Sequence, residues 1–147
     1  MSDFTPPRSA HDLTSGLIYF ARMLDKMRLF AAGRLSPDYH DYLGDQGDPT
    51  NFDARCSRFL GLPYATIHDR VFAGGTDEEI LEWCYENGQR PTEEEILIWN
   101  SFMRKRGWRD GPASVQLEEQ KAASGLADRT DLVTYFDFQD ADEGRQH

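Results

Sequence analysis

The stretch Thr76-Asp-Glu-Glu-Ile-Leu-Glu-Trp83 recurs sixteen residues later as Thr92-Glu-Glu-Glu-Ile-Leu-Ile-Trp99, and six of the eight positions are identical. Each copy has the features of a helix start. A threonine at the N-cap accepts a hydrogen bond from the amide three residues later, and a glutamate there reaches back to the threonine amide. The isoleucine and tryptophan of each copy are three residues apart and share one helical face. The repeat therefore predicts two neighbouring amphipathic helices joined by a short linker.

Glycine and proline divide the rest of the chain into further helical segments, and no segment alternates apolar and polar residues over the length of a strand. Helices are expected over residues 13 or 17 to 32, 49 to 60, 63 to 73, 77 to 87, 93 to 106, 114 to 124 and 132 to 138. Gly107 is expected to end the second repeated helix in a Schellman motif, with Trp108 against Met103. The prediction is an all-α, compact single-domain bundle of about six to eight helices with a central short-linker helix pair, and with loose termini at residues 1–8 and 140–147.

The composition is that of an ordinary globular domain. Of the 147 residues, 39% are apolar and 29% are charged, which argues against disorder and against a membrane protein. The first eight residues lack the basic and apolar regions of a signal peptide, so a cytoplasmic location is expected. Cys56 and Cys84 have no zinc-site spacing, so we expect buried free thiols and no metal site. The net charge of −10 would repel nucleic acid and anionic lipid, and neither is expected as a partner.

Charged side chains interrupt the apolar faces of two predicted helices. In the first helix, Arg22, Asp25 and Lys26 lie opposite the main apolar stripe, among further apolar residues. Buried charges must be paired or must bind a ligand. Asn100 and Arg104 similarly interrupt the second repeated helix. If the two helices face each other, Arg22, Lys26, Asn100 and Arg104 would bind a carboxylate or phosphate. The alternative is a structural ion-pair cluster or a partly exposed face.

Candidates for proton transfer are few. His40 has Asp38 and Asp41 beside it, which would orient its ring, and Asp25 is the second candidate. A solvent-facing histidine in an acidic connector is the alternative reading of His40. The basic run from Arg104 to Arg109 fits either the negative end of a helix or an anion site. The sequence lacks the glycine-rich nucleotide motifs, the nucleophile elbow and the zinc-protease motif, so no cofactor is expected.

Five stretches carry a family resemblance, namely Asp12–Lys26, Arg55–Gly61, Gly75–Cys84, Phe102–Asp110 and Phe136–Gly144. They extend over nearly the whole chain. In these stretches the chain resembles a bacterial family of proteins of about this length, catalogued as a domain of unknown function, number five thousand and sixty-nine. The resemblance implies a single bacterial cytoplasmic domain and supplies no activity.

Two functions are compatible with these patterns. The first is a small enzyme or metabolite-binding protein that recognises an anionic small molecule in an interhelical cleft lined by arginine and lysine. The second is a non-catalytic interaction or dimerisation module, in which Trp83, Trp99 or Trp108 is exposed and the acidic tail binds a basic partner. The first predicts that the charged helical residues share a cavity, and the second predicts an exposed aromatic surface and a homodimer.

Overall fold

The computed structural model describes residues 5–45 and 47–145, which form seven α-helices, one 3-10 segment and a two-stranded hairpin. The elements are β1 (Leu13–Thr14), β2 (Leu17–Ile18), α1 (Phe20–Ala31), the 3-10 segment (Pro37–Tyr42), α2 (Phe52–Leu60), α3 (Tyr64–Phe72), α4 (Asp77–Asn87), α5 (Glu93–Lys105), α6 (Pro112–Ala123) and α7 (Tyr135–Asp142). The predicted mostly helical domain is therefore confirmed. None of the described helices has both the length and the apolar character that crossing a bilayer requires.

The repeated octet begins α4 and α5, as the sequence predicts. Thr76 and Thr92 are the N-caps, and each hydroxyl accepts a hydrogen bond of 3.1 Å from the amide three residues later. The carboxylates of Glu79 and Glu95 accept hydrogen bonds from the amides of Thr76 and Thr92, so both capping boxes are complete. The linker between the helices packs against the end of α2, because the Gln89 amide donates to the Leu60 carbonyl over 2.8 Å.

Helix α1 is the central element of the fold, because seven of its twelve residues are buried. Its apolar face packs against side chains from α2 to α5 and against Phe136 of α7. Cys56 and Cys84 are free and buried in this core, as expected. A smaller apolar cluster lies between α6 and α7 and includes Leu117 and Phe138. Helix α1 is thus covered on one side by the main core, and its second side faces the elements that form the cavity described below.

The structure differs from the sequence prediction before α1, where the first helix was expected to start at Leu13 or Leu17. Instead, β1 pairs antiparallel with β2, Leu13 opposite Ile18. Ser15 and Gly16 form the two-residue turn, and both have positive φ, 46° and 82°. That backbone conformation suits a tight hairpin and prevents a helix from passing through it. The hairpin is fixed from outside, because Trp99 Nε1 donates to the Ile18 carbonyl over 3.2 Å.

The predicted Schellman motif after α5 does not form. Arg106, at the C-cap, adopts an extended conformation with ψ of 128°. The Gly107 amide donates to Asp110 Oδ2 over 2.9 Å instead of to a helix carbonyl. Met103 is fully buried, whereas Trp108 is 47% exposed. The carboxylate of Asp110 competes successfully for the amide that the motif would have used.

The chain ends are more ordered than expected within the described residues. Asp140 lies within α7, is buried and accepts a 2.7 Å hydrogen bond from Ser9, and Glu143 and Arg145 follow the helix and pair with each other. Arg8 pairs with Asp25 and Asp77. Residues 1–4 and 146–147 of the predicted loose termini lie outside the described residues.

Candidate functional site

A cavity of about 480 Å³ lies between α1, the segment leading from α1 to α2, and helices α6 and α7. Ligand sites in proteins span ~300–1,000 Å³, with mostly aromatic and apolar walls and a few placed polar groups. Six aromatic side chains line this cavity: Tyr19, Tyr39, Tyr42, Phe52, Tyr135 and Phe138. Side-chain amides come from Asn51, Gln116, Gln120 and Gln139. The volume is within the range of small-molecule sites, and the lining holds more polar and charged groups than such sites usually do.

Arg22 forms one part of the cavity wall through an ion pair with Glu143. The pair is bidentate, with 2.9 Å between Nη1 and Oε1 and 2.6 Å between Nη2 and Oε2. Both side chains are almost completely buried. Tyr39 donates to Glu143 over 2.8 Å, and Arg145 also pairs with it. Burial alone would raise the pKa of Glu143, but the hydrogen bonds and charge of Arg22 outweigh it, so the pKa is lowered.

Lys26 lies one turn after Arg22 and forms a second buried cluster. Its Nζ lies 2.9 Å from Asp53 Oδ1, 3.0 Å from the Tyr19 hydroxyl and 2.9 Å from the Tyr42 carbonyl oxygen. Tyr19 donates to Asp53 over 2.6 Å. Burial lowers the pKa of Lys26, and the Asp53 carboxylate opposes this shift. Three acceptors match the three protons of an ammonium, so Lys26 joins α1, α2 and the 3-10 segment as a cation.

Tyr19 occupies an unusual backbone position at the start of α1. Its φ is 78°, in the left-handed region that side chains other than glycine rarely adopt. The Tyr19 amide donates to the Ala10 carbonyl over 3.1 Å, which holds the chain at the point where the hairpin becomes the helix. Backbone strain of this kind costs about 1–3 kcal/mol and is concentrated at functional sites. The strained residue also lines the cavity, and its hydroxyl bonds to Asp53 and Lys26.

Three carboxylates add negative charge to the cavity lining. Asp38 and Asp142 form no ion pair or side-chain hydrogen bond among the described residues, and Asp48 accepts hydrogen bonds from the amide and hydroxyl of Thr50. Partial burial raises the pKa of Asp142, and the carboxylates of Glu143 and Asp38 raise it further. Asp142 is thus a carboxyl group of the lining whose pKa is raised by its surroundings.

The cations of the cavity, in contrast, are already paired. Arg22 is held by Glu143 and Lys26 by Asp53, as described above. Arg106, the third cation in the lining, pairs with Asp110 over 2.8 Å. The uncompensated charge of the lining is therefore negative. Within the described residues, no group of three or more histidine, cysteine, aspartate or glutamate side chains is placed to hold a metal ion.

Of the four residues predicted to bind a ligand, the structure brings Arg22 and Lys26 to the cavity. Asn100 lies at the hairpin, where its Oδ1 accepts from the Ile18 amide over 3.1 Å and its Nδ2 donates to Gly16 over 2.9 Å. Both ends of this amide are therefore used for structure. Arg104 is exposed on α5 and is not part of the cavity lining. The four side chains do not form one clamp.

The two candidates for proton transfer also lie outside the cavity lining. His40 Nε2 lies 3.2 Å from the Leu35 carbonyl oxygen, and its ring packs edge-on against Phe30. Asp25 accepts from Arg8 Nε over 2.9 Å and lies near Arg28. Neither side chain reaches the group of tyrosines and amides in the cavity wall.

The tryptophans differ in exposure. Trp99 is 7% exposed and stacks on Phe59, and Trp83 is half-buried, so only Trp108 is substantially exposed. The acidic tail is not free, because Asp140 and the Glu143 side chain are buried. Of the three tryptophans, Trp108 is therefore the one available as an exposed anchor, and the interaction module stays a prediction.

Sequence reasoning missed Asp53, Glu143 and Tyr19. Glu143 and Asp53 supply the carboxylates that the buried Arg22 and Lys26 require. The only sign of these partners in the sequence is that two cations lie on an apolar helical face. Asp53 directly follows Phe52 at the start of α2, and Glu143 directly follows α7, so both look like ordinary acidic helix-end residues in sequence. Tyr19 carried no signal, because a positive φ at a tyrosine is not encoded in local sequence.

The sequence model of a family described as Domain of unknown function (DUF5069) matches residues 4–145 of the chain. The chain therefore belongs to that family. No curated protein and no solved structure matches it.

Proposed function

We propose that this member of the DUF5069 family is a small-molecule-binding protein or small enzyme whose ligand occupies the cavity beside α1. The observation that carries the proposal is the cavity itself, which is about 480 Å³ in volume and is lined by aromatic rings and side-chain amides. The buried ion pairs of Arg22 with Glu143 and of Lys26 with Asp53 hold its walls in place. Fixed walls favour a specific ligand, because little conformational entropy is lost on binding.

One polar atom in the lining supports a ligand with hydrogen-bond donors. The Oε1 atom of Gln139 is buried and accepts no hydrogen bond from the described part of the chain. A buried acceptor without a partner costs about 1–3 kcal/mol. Because this atom is closed to solvent, a ligand N–H or O–H group recovers that cost only if the Gln139 side chain turns toward the cavity. The Asp38 and Asp142 carboxylates are two further acceptors.

The charge of the lining favours a neutral or cationic ligand over an anion. The sequence-based proposal of an anionic ligand rests on four residues, Arg22, Lys26, Asn100 and Arg104. Only Arg22 and Lys26 line the cavity, and both are already held by carboxylates. An anion would have to compete with Glu143 for Arg22 or with Asp53 for Lys26, and both ion pairs are buried. An amine or a hydroxylated molecule with a ring would instead meet carboxylates, amides and tyrosine faces. The anionic ligand is kept as the second candidate.

If the ligand is a substrate, Asp142 is the group in the lining best suited to move its proton. Its raised pKa and its position at the cavity support that role. The proposal also places the protein in the bacterial cytoplasm. The two free, buried cysteines support a reducing compartment, and the family resemblance supports the bacterial source.

A thermal-shift screen tests the proposal with three groups of probes. These are amines with rings, such as tyramine and tryptamine; neutral sugars; and anions, such as citrate and inorganic phosphate. A ligand at a hundred times its Kd adds about 2.7 kcal/mol to the stability of the folded protein. We expect stabilisation by at least one amine or sugar. A response restricted to the anions would favour the second candidate.

A variant that fills the cavity decides whether a probe binds there. Gln116 lies in the lining on the exposed side of α6, so Gln116→Trp would narrow the opening without touching the buried ion pairs. The matched control is Val115→Trp, because Val115 is the neighbouring residue, is 61% exposed and is not part of this lining. Binding that survives Gln116→Trp as well as it survives Val115→Trp would contradict a site in this cavity.

A further inference from the structure

The outward face of α5 is apolar in its middle. Leu97 is 65% exposed and Ile98 is 60% exposed, and Phe102 adds a side chain that is 40% exposed. Trp108, in the turn after the helix, lies along the same shallow groove. Soluble proteins rarely leave several large apolar side chains together at the surface unless the surface binds something. This face therefore has the character of an interface.

Opposite charges occupy the two ends of that face. Glu94 and Lys105 lie on one line of the helix with Ile98 and Ser101, because the spacings of four, three and four residues keep them on one side. The first turn of α5 is wholly acidic, from Glu93 to Glu95, and its last turn is basic. The outward face is thus acidic at the start of the helix, apolar in its middle and basic at its end.

We propose that this face, which we call the α5 face and define as Glu94, Leu97, Ile98, Ser101, Phe102 and Lys105, binds a second copy of the chain. The two α5 helices pack antiparallel about a two-fold axis that passes between positions 99 and 100. Glu94 then lies opposite the partner's Lys105, and Leu97 lies opposite the partner's Phe102. A two-fold interface makes every such contact twice.

Self-complementarity selects a second copy over other partners. A parallel arrangement would place the glutamates of the two first turns together, whereas the antiparallel one pairs each acidic end with a basic end. A nucleic acid would be attracted to the basic end and repelled by Glu93–Glu95. The net charge of −10 on each copy opposes association at long range, but salt at 0.1 M screens such repulsion beyond ~10 Å, and the end-to-end pairs act at contact distance.

Exchanging the charges of Glu94 and Lys105 tests whether the α5 face forms the interface and whether the two helices pack antiparallel. Sedimentation velocity of the full chain over a range of concentrations should give a monomer–dimer equilibrium. Glu94→Lys alone and Lys105→Glu alone should each raise the dimer Kd about tenfold or more, because like charges then meet at both ends. The double variant E94K/K105E should return the Kd close to that of the unchanged chain, because each lysine again faces a glutamate.

Two controls distinguish the loss of this interface from a change in net charge and from unfolding. Glu86→Lys makes the same change of charge on α4, where Glu86 is exposed and outside the α5 face, and should leave the Kd unchanged. Leu97→Ser with Phe102→Ser should give a monomer whose thermal unfolding midpoint remains close to that of the unchanged chain. A strict monomer at all concentrations overturns the proposal. So does a dimer that survives the two serines, or a charge exchange that fails to restore association.

Discussion

Glu143, the first residue after the last helix, forms a bidentate ion pair with Arg22 of the first helix, 121 residues earlier in the chain. The pair is buried on both sides, and the same carboxylate receives a hydrogen bond from Tyr39. It therefore ties α1, the 3-10 segment and the C-terminal residues together at one wall of the cavity. The chain end, which looks like an acidic tail in sequence, is a structural part of the candidate site.

The first prediction concerns acid stability. Because the folded-state pKa of Glu143 lies below its ordinary value of 4.5, the ion pair stabilises the fold above that pH. This stabilisation is lost as the pH falls from 4.5 toward the lowered folded-state pKa. Glu143→Gln should lower the free energy of unfolding by about 3 kcal/mol at pH 7 and should lessen its decline in acid. Urea titrations from pH 7 down to about pH 3 measure both effects.

The matched variant is Glu119→Gln, which removes a carboxylate from the exposed side of α6. It should follow the unchanged protein at every pH. An equal decline in acid for Glu143→Gln and Glu119→Gln would show that the buried pair does not contribute to the pH dependence.

The second prediction concerns the Lys26–Asp53 pair. Either Lys26→Met or Asp53→Asn should destabilise the protein, and the lysine change should cost about 3–5 kcal/mol because it leaves Asp53 buried and charged. The double variant should lose less than the sum of the two, with a coupling energy of about 1–3 kcal/mol. Urea unfolding of the unchanged protein, the two single variants and the double variant at pH 7 gives this double-mutant cycle.

The control is Arg129→Met, which breaks an exposed pair with Asp131 and should have little effect on stability. Additive losses would mean that Lys26 and Asp53 act independently.

The third prediction concerns the repeated caps. Thr76→Ala and Thr92→Ala each remove the hydroxyl that accepts from the first turn, and each should cost about 1 kcal/mol. Thr130→Ala is the control, because Thr130 is exposed and is not an N-cap. Thermal unfolding midpoints should fall for the two cap variants and remain unchanged for the control. A loss at only one of the two caps would show that the identical octets do not contribute equally.

The fourth prediction concerns thiol reactivity. Burial raises the pKa of Cys84 to about 11 and also raises the pKa of Cys56 above its ordinary value. Both should react slowly with a disulfide reagent at about pH 8 in the folded protein, at a rate set by opening of the core. In guanidinium chloride both should react at the rate of a free thiol. Rapid labelling of one native thiol would contradict its burial.

The local features of the sequence determined the helical architecture. The threonine and glutamate of each octet act within a single turn, so the starts of α4 and α5 follow from sequence alone. Gly61 in the left-handed conformation after α2 is equally local. The hairpin before α1 was missed because its turn is short and its strands have two residues each, too few to produce a periodic pattern. Trp99 and Asn100, from a distant helix, complete its hydrogen bonding.

The sequence identified two cations of the candidate site, Arg22 and Lys26, but not their partners. A helical wheel shows that Arg22 and Lys26 interrupt an apolar face, and that burial then demands partners or a ligand. The wheel does not identify those partners, because Asp53 and Glu143 reach α1 from separate helices and resemble ordinary acidic residues at helix ends. Ion pairs between residues far apart in the chain depend on how the helices pack, and the sequence carries no distance information. Tertiary structure alone therefore decided that the cations are neutralised, that the cavity lining is acidic, and that Asn100 and Arg104 lie elsewhere.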